Sequence, residues 1–297
     1  MGQALPGESA AELSLLDEGV RRSRRFPSPL TLWPPQPFVL VHLAALGVFF
    51  VDFAWHLPLI AVGSYYFRMF WVTMGYHRYF SHRAFKTSRA FQFVIAFMAM
   101  TSAQKGVLWW AAHHRDHHKY SDEPKDLHSP KQSGFWWAHI GWMLARGSGR
   151  TNHDRVRDFG DFPELQWLNR HWLVPPVAFF VVLALIGGLP LLLWGGVVGT
   201  ILLWHATFSV NSLSHIIGIR RYQTSDDSRN CWWLALITCG EGWHNNHHHY
   251  QSTASQGWRW FELDVSYLGL LVLRSFRLVS DLRKPPPHVR TDLLIRT

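Results

Sequence analysis

Hydrophobic positions along this chain fall into four long runs, separated by segments rich in histidine and charge. The runs cover residues 38–54, 57–76, 172–189 and 191–213. Each is close to the ~20 mostly apolar residues that an α-helix needs to cross a membrane. The runs of the first pair meet near Trp55, and those of the second pair meet at residues 187–190. Both joints are too short for a folded loop, so each pair is predicted to form a hairpin of antiparallel helices.

A further apolar stretch covers residues 90–110. A fifth membrane crossing here would put the next basic segment on the opposite side from the other basic segments. We therefore expect a helix that lies in the membrane interface or against the polar part of the protein.

Basic residues are distributed unevenly around these runs. Of the 29 Lys and Arg residues, four precede the first run, 14 lie between residues 77 and 171, and ten follow residue 213. Such residues accumulate on the cytoplasmic side of membrane proteins. The predicted organisation is a cytoplasmic tail (1–37), a transmembrane hairpin (38–76), a cytosolic segment (77–171), a second hairpin (172–213) and a cytosolic cap (214–297). The chain is thus expected to be an all-α integral membrane protein with four spans and both termini in the cytoplasm.

Composition agrees with a membrane protein that has a substantial water-exposed part. Charged residues make up 16% of the chain and hydrophobic residues 48%, against about 25% charged residues in soluble domains. The net charge of +9 suggests anionic lipids, an acidic protein or a phosphate-bearing substrate; no nucleic-acid partner is expected. Two cysteines cannot build a disulfide framework or a four-thiolate metal site.

Histidine is unusually frequent, with 19 residues, and eight of them lie in three clusters. The clusters are His77 with His82, His114 with His117 and His118, and His244 with His247 and His248. Spacings of three and four place residues on one helical face, as in the second and third clusters. The spacing of five in the first cluster turns about 140° on a regular helix. Either that helix ends between its two histidines, or the two bind different metals.

A single cluster could be a solvated patch, but three on one predicted side favour a metal site. Imidazole suits zinc, copper, iron and nickel. Eight imidazoles exceed the four ligands of one zinc ion, so at least two ions are implied. Asn211 and His215, four residues apart at the end of the last run, form a further candidate pair, although a plain helix terminus would look the same.

These motifs resemble those of the membrane-bound fatty acid desaturases, specifically the stearoyl-CoA desaturase-like Δ9 family. The matching stretches run in that family's order over roughly residues 40–265. They are GYHRYFSHRAF (75–85), HRDHHKYSD (114–122), DLH (126–128) with FWWAHIGW (135–142), NSLSH (211–215) and GEGWHNNHH (240–248). The combination is specific, whereas no single motif is.

The resemblance implies four spanning helices under a cytosolic helical cap that holds two non-haem irons. It implies an O₂-dependent reaction that leaves a cis double bond, most often Δ9, in a saturated long-chain acyl group. The implied ligands are nine histidines and one asparagine that acts through water: His77, His82, His114, His117, His118, Asn211, His215, His244, His247 and His248. The residues implied at the bend of the substrate tunnel are Gln104, Trp110 and Thr207. Zinc could enter such a site during expression without being the working metal.

Two positions depart from the family's pattern. The animal enzymes hold coenzyme A with an Arg-Asp pair where this chain has Ala112 and His113, so acyl-CoA and acyl-lipid substrates both stay open.

His113 and His249 lie beside the motifs and are expected not to be ligands. His205, inside the last run, is expected to be packed or hydrogen-bonded. Outer residues such as His128 and His139 could orient ligands or simply pack.

Electrons are expected from a separate donor, because no flavin, ferredoxin or cytochrome motif is visible. A ferredoxin, a rubredoxin or a b-type cytochrome would serve, and a basic cytoplasmic surface suits an acidic donor. Four arginines could contact such a donor, a phosphate-bearing head group or anionic lipid, or be solvated: Arg146, Arg150, Arg155 and Arg157.

Three other functions remain as alternatives. A diiron hydroxylase of the same superfamily would use the same metal ligands. A histidine-rich metal transporter would place its ligands in the middle of the membrane, and a di-haem cytochrome would pair histidines on facing spans. Metal analysis separates these classes.

Overall fold

A computed structural model describes residues 36–145 and 148–295 of the chain. The predicted tail over 1–37 falls almost wholly outside these residues, as does Arg146. The described chain is mostly helical, and its first half runs through the following elements. They are α1 (Gln36–Ala44) with a 3-10 turn (Ala45–Phe50), α2 (His56–Trp71) with a π-helix (Val72–Ser81), β1 (Lys86–Thr87), α3 (Arg89–Met100), α4 (Val107–Tyr120), α5 (Pro130–Ser133), a π-turn (Trp137–Gly141) and α6 (Trp142–Leu144).

The second half continues the helical pattern. It contains a 3-10 turn (His153–Val156), α7 (Arg157–Gly160), α8 (Pro163–Arg170), α9 (Val174–Leu191), a π-helix (Leu192–Val198), α10 (Gly199–Leu213), α11 (Trp232–Ile237), α12 (His244–His249), α13 (Val265–Ser275), β2 (Val279–Ser280) and a 3-10 turn (His288–Arg290). The two short strands pair antiparallel, with Lys86 opposite Ser280 and Thr87 opposite Val279.

One helical segment among the described residues is long and apolar enough to cross a membrane. It runs from Val174 to Leu213, and its most apolar window has a mean hydropathy of 2.5. The prediction of four spans is therefore not confirmed. The first predicted span forms helix only to Phe50 and is irregular before His56. The second contains Ser64, Tyr65 and Arg68, which lower its apolar character.

The segment Val174–Leu213 is itself a hairpin, because the chain reverses at Gly187 and Gly188. Gly188 has φ +62° and ψ −155°, a conformation that is costly for residues with a Cβ. After the turn, Gly196 lies against Phe180: a Cβ atom added at Gly196 would lie 3.3 Å from the Phe180 ring. In one straight helix, positions 180 and 196 would be about 24 Å apart. The two arms therefore pack against each other.

The apolar stretch 90–110 forms two helices rather than one. Helix α3 has 12 residues, or about 18 Å, against the ~30 Å hydrocarbon thickness of a bilayer. Ser88 caps its start by accepting a hydrogen bond from the Phe91 amide at 3.2 Å. The chain then bends, and Ala103 and Lys105 take positive φ values of 56° and 72°. A single fifth span through these residues is thus absent from the described structure.

A buried arginine joins α2 to the second hairpin. Arg68 is fully buried, and its guanidinium donates hydrogen bonds to Thr200 Oγ1 at 2.6 Å and to the Gly195 carbonyl at 3.3 Å. Its Nε also donates to the Ser64 carbonyl. Oxygen acceptors therefore surround a charge that would be costly to bury without them.

Candidate metal centre

Nine histidine side chains converge where the ends of several helices meet. They come from the π-helix after α2 and the residue that follows it, from helix α4, from the segment after α10 and from helix α12. They separate into two groups, within each of which one ring nitrogen per residue lies within 4.8 Å of all the others. The first group is His77, His82, His114, His118 and His247, and the second is His117, His215, His244 and His248. The spacing of the histidines along the chain does not predict this division.

The five-histidine group is held together by short contacts between Nε2 atoms. His114 Nε2 lies 2.9 Å from the Nε2 atoms of both His82 and His118. His247 Nε2 lies 2.9 Å from that of His118 and 3.0 Å from that of His77. Five imidazole nitrogens therefore point into one small volume.

The backbone explains how residues five apart reach the same group. Residues 72–81 form a π-helix, and the His82 amide donates to the His77 carbonyl at 3.2 Å, an i to i+5 hydrogen bond. The helix ends at Ser81, one residue before His82. On a regular α-helix the two histidines would face different directions, which left binding to different metals as one possibility. The wider π turns place His77 and His82 in one group instead; such turns frequently occur at functional sites.

The four-histidine group is more deeply buried. All four side chains are buried, and His215 Nε2 lies 3.1 Å from His244 Nε2. The rings of His244 and His248 have centroids 4.3 Å apart.

Four carboxylates bind the outward-facing Nδ1 atoms of four of these histidines. His117 Nδ1 donates to both oxygens of Asp126 at 3.1 Å, and His215 Nδ1 donates to Asp122 at 2.9 Å. Two further pairs share this arrangement, His77 with Glu241 and His248 with Asp226. The histidine spacing gave no signal for these carboxylates, although Asp122, Asp126 and Glu241 lie inside the matched motifs.

These hydrogen bonds decide which ring nitrogen carries the proton. A neutral imidazole has one N–H and one lone pair. A proton on Nδ1, held by a carboxylate, leaves the Nε2 lone pair facing inward. In the second group His248 Nε2 is buried without a hydrogen-bond partner in the part of the chain that the structure describes. Lone pairs that face one another repel unless a cation lies between them, so this arrangement fits metal ions.

Burial lowers the pKa of six of the nine histidines and so favours neutral imidazole there. For His117 the effect of burial is outweighed by the Asp126 carboxylate, which raises its pKa. Burial lowers the pKa of His114 and His244 well below the usual histidine value, and neighbouring imidazoles lower both further. Burial alone would raise the pKa of Asp122, but its hydrogen bond with His215 lowers that pKa to about 2. Neutral imidazole is the form that binds metals.

A cavity of about 380 Å³ adjoins the metal centre. His114 and Asn211 line it, as do all three residues predicted at the tunnel bend. Gln104 Nε2 donates to Thr207 Oγ1 at 3.0 Å, and Trp110 Nε1 donates to Gln104 Oε1 at 3.4 Å. The structure thus brings Gln104, Trp110 and Thr207 together. It places Asn211 on the cavity wall, four residues before His215.

The remaining singled-out histidines lie outside both groups. His113 Nδ1 donates to the Trp109 carbonyl, and His249 Nε2 donates to the Val289 carbonyl. His128 stacks on His117 with ring centroids 4.3 Å apart. His205 bridges two imidazoles, with Nε2 3.2 Å from His42 and Nδ1 3.1 Å from His139.

Two of the four singled-out arginines have acidic partners within the protein. Arg155 forms a salt bridge with Asp116, and Arg157 forms one with Asp154. Each guanidinium is therefore already paired with a carboxylate of this chain.

Comparison with known proteins gives the family. The family model for fatty acid desaturases matches residues 53–264. The chain is 36% identical over 252 residues to the sn-1 stearoyl-lipid 9-desaturase of a Synechocystis strain, which covers 84% of this chain and 79% of that protein. It is 34% identical over 254 residues to the sn-2 palmitoyl-lipid 9-desaturase of a Nostoc strain, covering 84% and 88%. An sn-1 stearoyl-lipid 9-desaturase of Anabaena variabilis is 32% identical, covering 83% and 91%.

The chain therefore belongs to the fatty acid desaturase family. It is an oxidoreductase of lipid metabolism, and the histidine groups fit the metal site of such an enzyme.

Proposed function

We propose that this protein is a diiron acyl-lipid desaturase that introduces a cis Δ9 double bond into a saturated long-chain acyl group. The observation that carries the proposal is the pair of inward-facing imidazole groups beside a cavity with a largely apolar wall. Two irons would supply oxidation by O₂, which acid–base side chains cannot provide for an unactivated C–H bond. The overall change removes two hydrogens from the chain and reduces O₂ to two waters, with two electrons and two protons from outside.

The proposed ligands divide between two irons. One iron would take the five-histidine group. The other would take the four-histidine group, with Asn211 acting through a water as the tenth ligand. The carboxylates on Nδ1 fix the tautomers and the ring orientations, as outer hydrogen-bond partners of metal ligands generally do.

The cavity residues orient the acyl chain. Methylene groups are chemically alike, so the shape of the cavity must select the position of oxidation. Gln104 is held by hydrogen bonds from both sides, and Trp110 stacks on Tyr76 with centroids 5.3 Å apart. This fixed polar and aromatic wall would bend the chain next to the metals.

The choice of an acyl-lipid over an acyl-CoA substrate rests on two residues. Ala112, at the position of the animal enzymes' arginine, is fully buried in α4. His113 donates to the Trp109 carbonyl and lies 4.2 Å from the Trp109 ring, centroid to centroid. Neither can provide the charged pair that holds coenzyme A. The three relatives described above are each named as lipid desaturases, which supports the same choice.

The proposed setting is an integral membrane protein with four spans and a cytoplasmic active site. Support comes from the distribution of basic residues and from the apolar hairpin over 174–213. The electron donor is proposed to be a separate protein of the ferredoxin, rubredoxin or b-type cytochrome class.

Expression in a desaturase-deficient host tests this function. We expect a new cis-monoene in the host's lipids, with the double bond at C9 after derivatisation and mass spectrometry. Pulse labelling with ¹³C-stearate should show the monoene in glycerolipids before the acyl-CoA pool. The His117→Ala variant should abolish it, and His153→Ala, outside the metal groups, should not. Hydroxylated chains would instead indicate the hydroxylase, and an earlier signal in acyl-CoA would contradict the lipid substrate.

A further inference from the structure

The cavity beside the metal centre contains an uncompensated positive charge. Lys105 follows Gln104 in the bend between α3 and α4, and both line the cavity. None of the side chains that line it, within the described part of the chain, is acidic. Burial lowers the pKa of the Lys105 ammonium group, and no acidic neighbour offsets that effect there.

The position of this charge is fixed by the surrounding structure. The Lys105 carbonyl accepts a hydrogen bond from the Tyr76 hydroxyl at 2.7 Å, and the residue has a φ of 72°. Its Nζ lies 5.6 Å from the centre of the Trp109 ring and 5.7 Å from that of Trp172. Contacts between a cation and aromatic faces hold a side chain without neutralising its charge.

A second unpaired donor lies near the same aromatic ring. Trp142 stacks against Trp109 with centroids 6.0 Å apart, and Trp142 also lines the cavity. Its indole Nε1 is buried without a hydrogen-bond partner among the described residues. A buried donor of this kind is costly to leave unpaired. Lys105 and Trp142 thus each contribute a hydrogen-bond donor to the residues that line one cavity, which fits a ligand with several acceptor oxygens.

The chemistry of an esterified acyl chain identifies the group that these donors fit. The ester itself is uncharged, so the nearest full negative charge on such a substrate is a phosphate in its head group. A lysine ammonium is a compact charge that commonly binds phosphate. We propose that Lys105 binds an anionic phosphate in the substrate's head group, and that it makes the enzyme selective for anionic over neutral acyl lipids.

This inference rests on the proposed acyl-lipid function and adds a substrate class to it. Trp110, Gln104 and Thr207 contact the acyl chain in that proposal, whereas Lys105 contacts the head group. A loss of the Lys105 charge should therefore change substrate affinity rather than the oxidation step.

Binding of defined lipids to the purified protein in neutral detergent tests the inference. The probes are a saturated phosphatidylglycerol, a saturated monogalactosyldiacylglycerol and stearoyl-CoA. Lys105→Met keeps an unbranched side chain that is one heavy atom shorter and removes the charge. We expect phosphatidylglycerol affinity to fall about 10- to 100-fold, the effect of losing a hydrogen bond to a charged group, with galactolipid affinity unchanged. Lys105→Arg should restore most of the affinity.

The matched control is Lys86→Met. Lys86 is exposed on β1, pairs with Asp281 at 3.0 Å and does not line the cavity. The Lys86→Met variant makes the same change in net charge as Lys105→Met and should leave the affinities for all three probes unaltered. In a turnover assay, Lys105→Met should raise KM for phosphatidylglycerol and leave kcat unchanged.

The binding results distinguish a failure of this inference from a failure of the proposed acyl-lipid function. Equal losses for all three probes, or no loss for any, would overturn the role of Lys105 in phosphate recognition. A loss confined to stearoyl-CoA would support phosphate recognition and contradict the acyl-lipid function. Binding needs no turnover, so it can be measured even if the protein catalyses a different oxidation.

Discussion

Replacing Asp226 by asparagine should weaken the metal centre without removing a ligand. Asp226 accepts the Nδ1 proton of His248 with one carboxylate oxygen and the Ser228 amide with the other, the latter at 3.1 Å. Asparagine has one oxygen for these two donors. If the NH2 group of the asparagine side chain faces His248, it donates a hydrogen bond to Nδ1. The imidazole proton then lies on Nε2, where it blocks the lone pair that a metal needs.

The expected loss of metal affinity follows from the role of a carboxylate that holds the ring of a metal ligand. Loss of an outer hydrogen-bond partner typically weakens metal binding by about 10- to 100-fold, which corresponds to about 1.4–2.7 kcal/mol. Competition with a coloured iron chelator, on purified protein at constant pH, measures this loss directly.

Asp227→Asn provides a matched control. The Asp227 side chain pairs with Lys131 at 2.9 Å and with Arg220 at 3.5 Å, away from the imidazoles. The same chemical change one residue along should leave iron affinity unaltered. If Asp226→Asn holds iron as tightly as the unaltered protein, the tautomer argument is refuted.

A buried ion pair, the wall of the cavity and the lowered pKa values of the histidines each lead to a further prediction. Arg78, buried between two carboxylates, should be essential for stability: Arg78→Met should cost about 3–5 kcal/mol in detergent denaturation, whereas Arg89→Met at the surface should leave the midpoint unchanged. Gln104→Leu should lower desaturation at least about tenfold, the effect of about 1.4 kcal/mol, and yield a mixture of double-bond positions by mass spectrometry, whereas the exposed Gln166→Leu should do neither. The metal-free protein should lose stability as the pH falls below about 6.5, because histidines with lowered pKa take up protons more readily after unfolding. That loss should continue at least to pH 4, because burial lowers the pKa of His248 to about 4 and those of other histidines further, at up to about 1.4 kcal/mol per pH unit for each such histidine; a denaturation midpoint that stays constant between pH 7 and 5 would contradict it.

The sequence was most informative where ligand spacing and helical geometry coincide. Helix α4 carries His114, His117 and His118 on adjoining positions, and a regular helix describes it well. That helix nevertheless divides its histidines between the two groups, since His117 joins the second. The direction of each ring depends on partners from other helices, and spacing along one helix cannot reveal it.

Other features depend on contacts between residues distant in the chain. Asp122 and His215 are 93 positions apart, and their hydrogen bond arises only when the segment after α10 reaches the end of α4. The π-helix over 72–81 also escaped prediction, because hydrophobic periodicity does not distinguish it from an α-helix over so few turns. The first predicted span also differs from the structure, because the chain is irregular before His56. Its apolar composition alone does not show that the helix ends early.

Iron content per chain tests whether the two histidine groups hold two metal ions. Purified protein loaded anaerobically with ⁵⁷Fe would be measured by metal analysis and Mössbauer spectroscopy. We predict two irons per chain in two distinct environments. His244→Ala should hold one iron, and His205→Gln, whose altered residue lies outside both groups, should hold two. A single iron environment in the unaltered protein, or an unchanged iron content in His244→Ala, would contradict a centre built from two separate histidine groups.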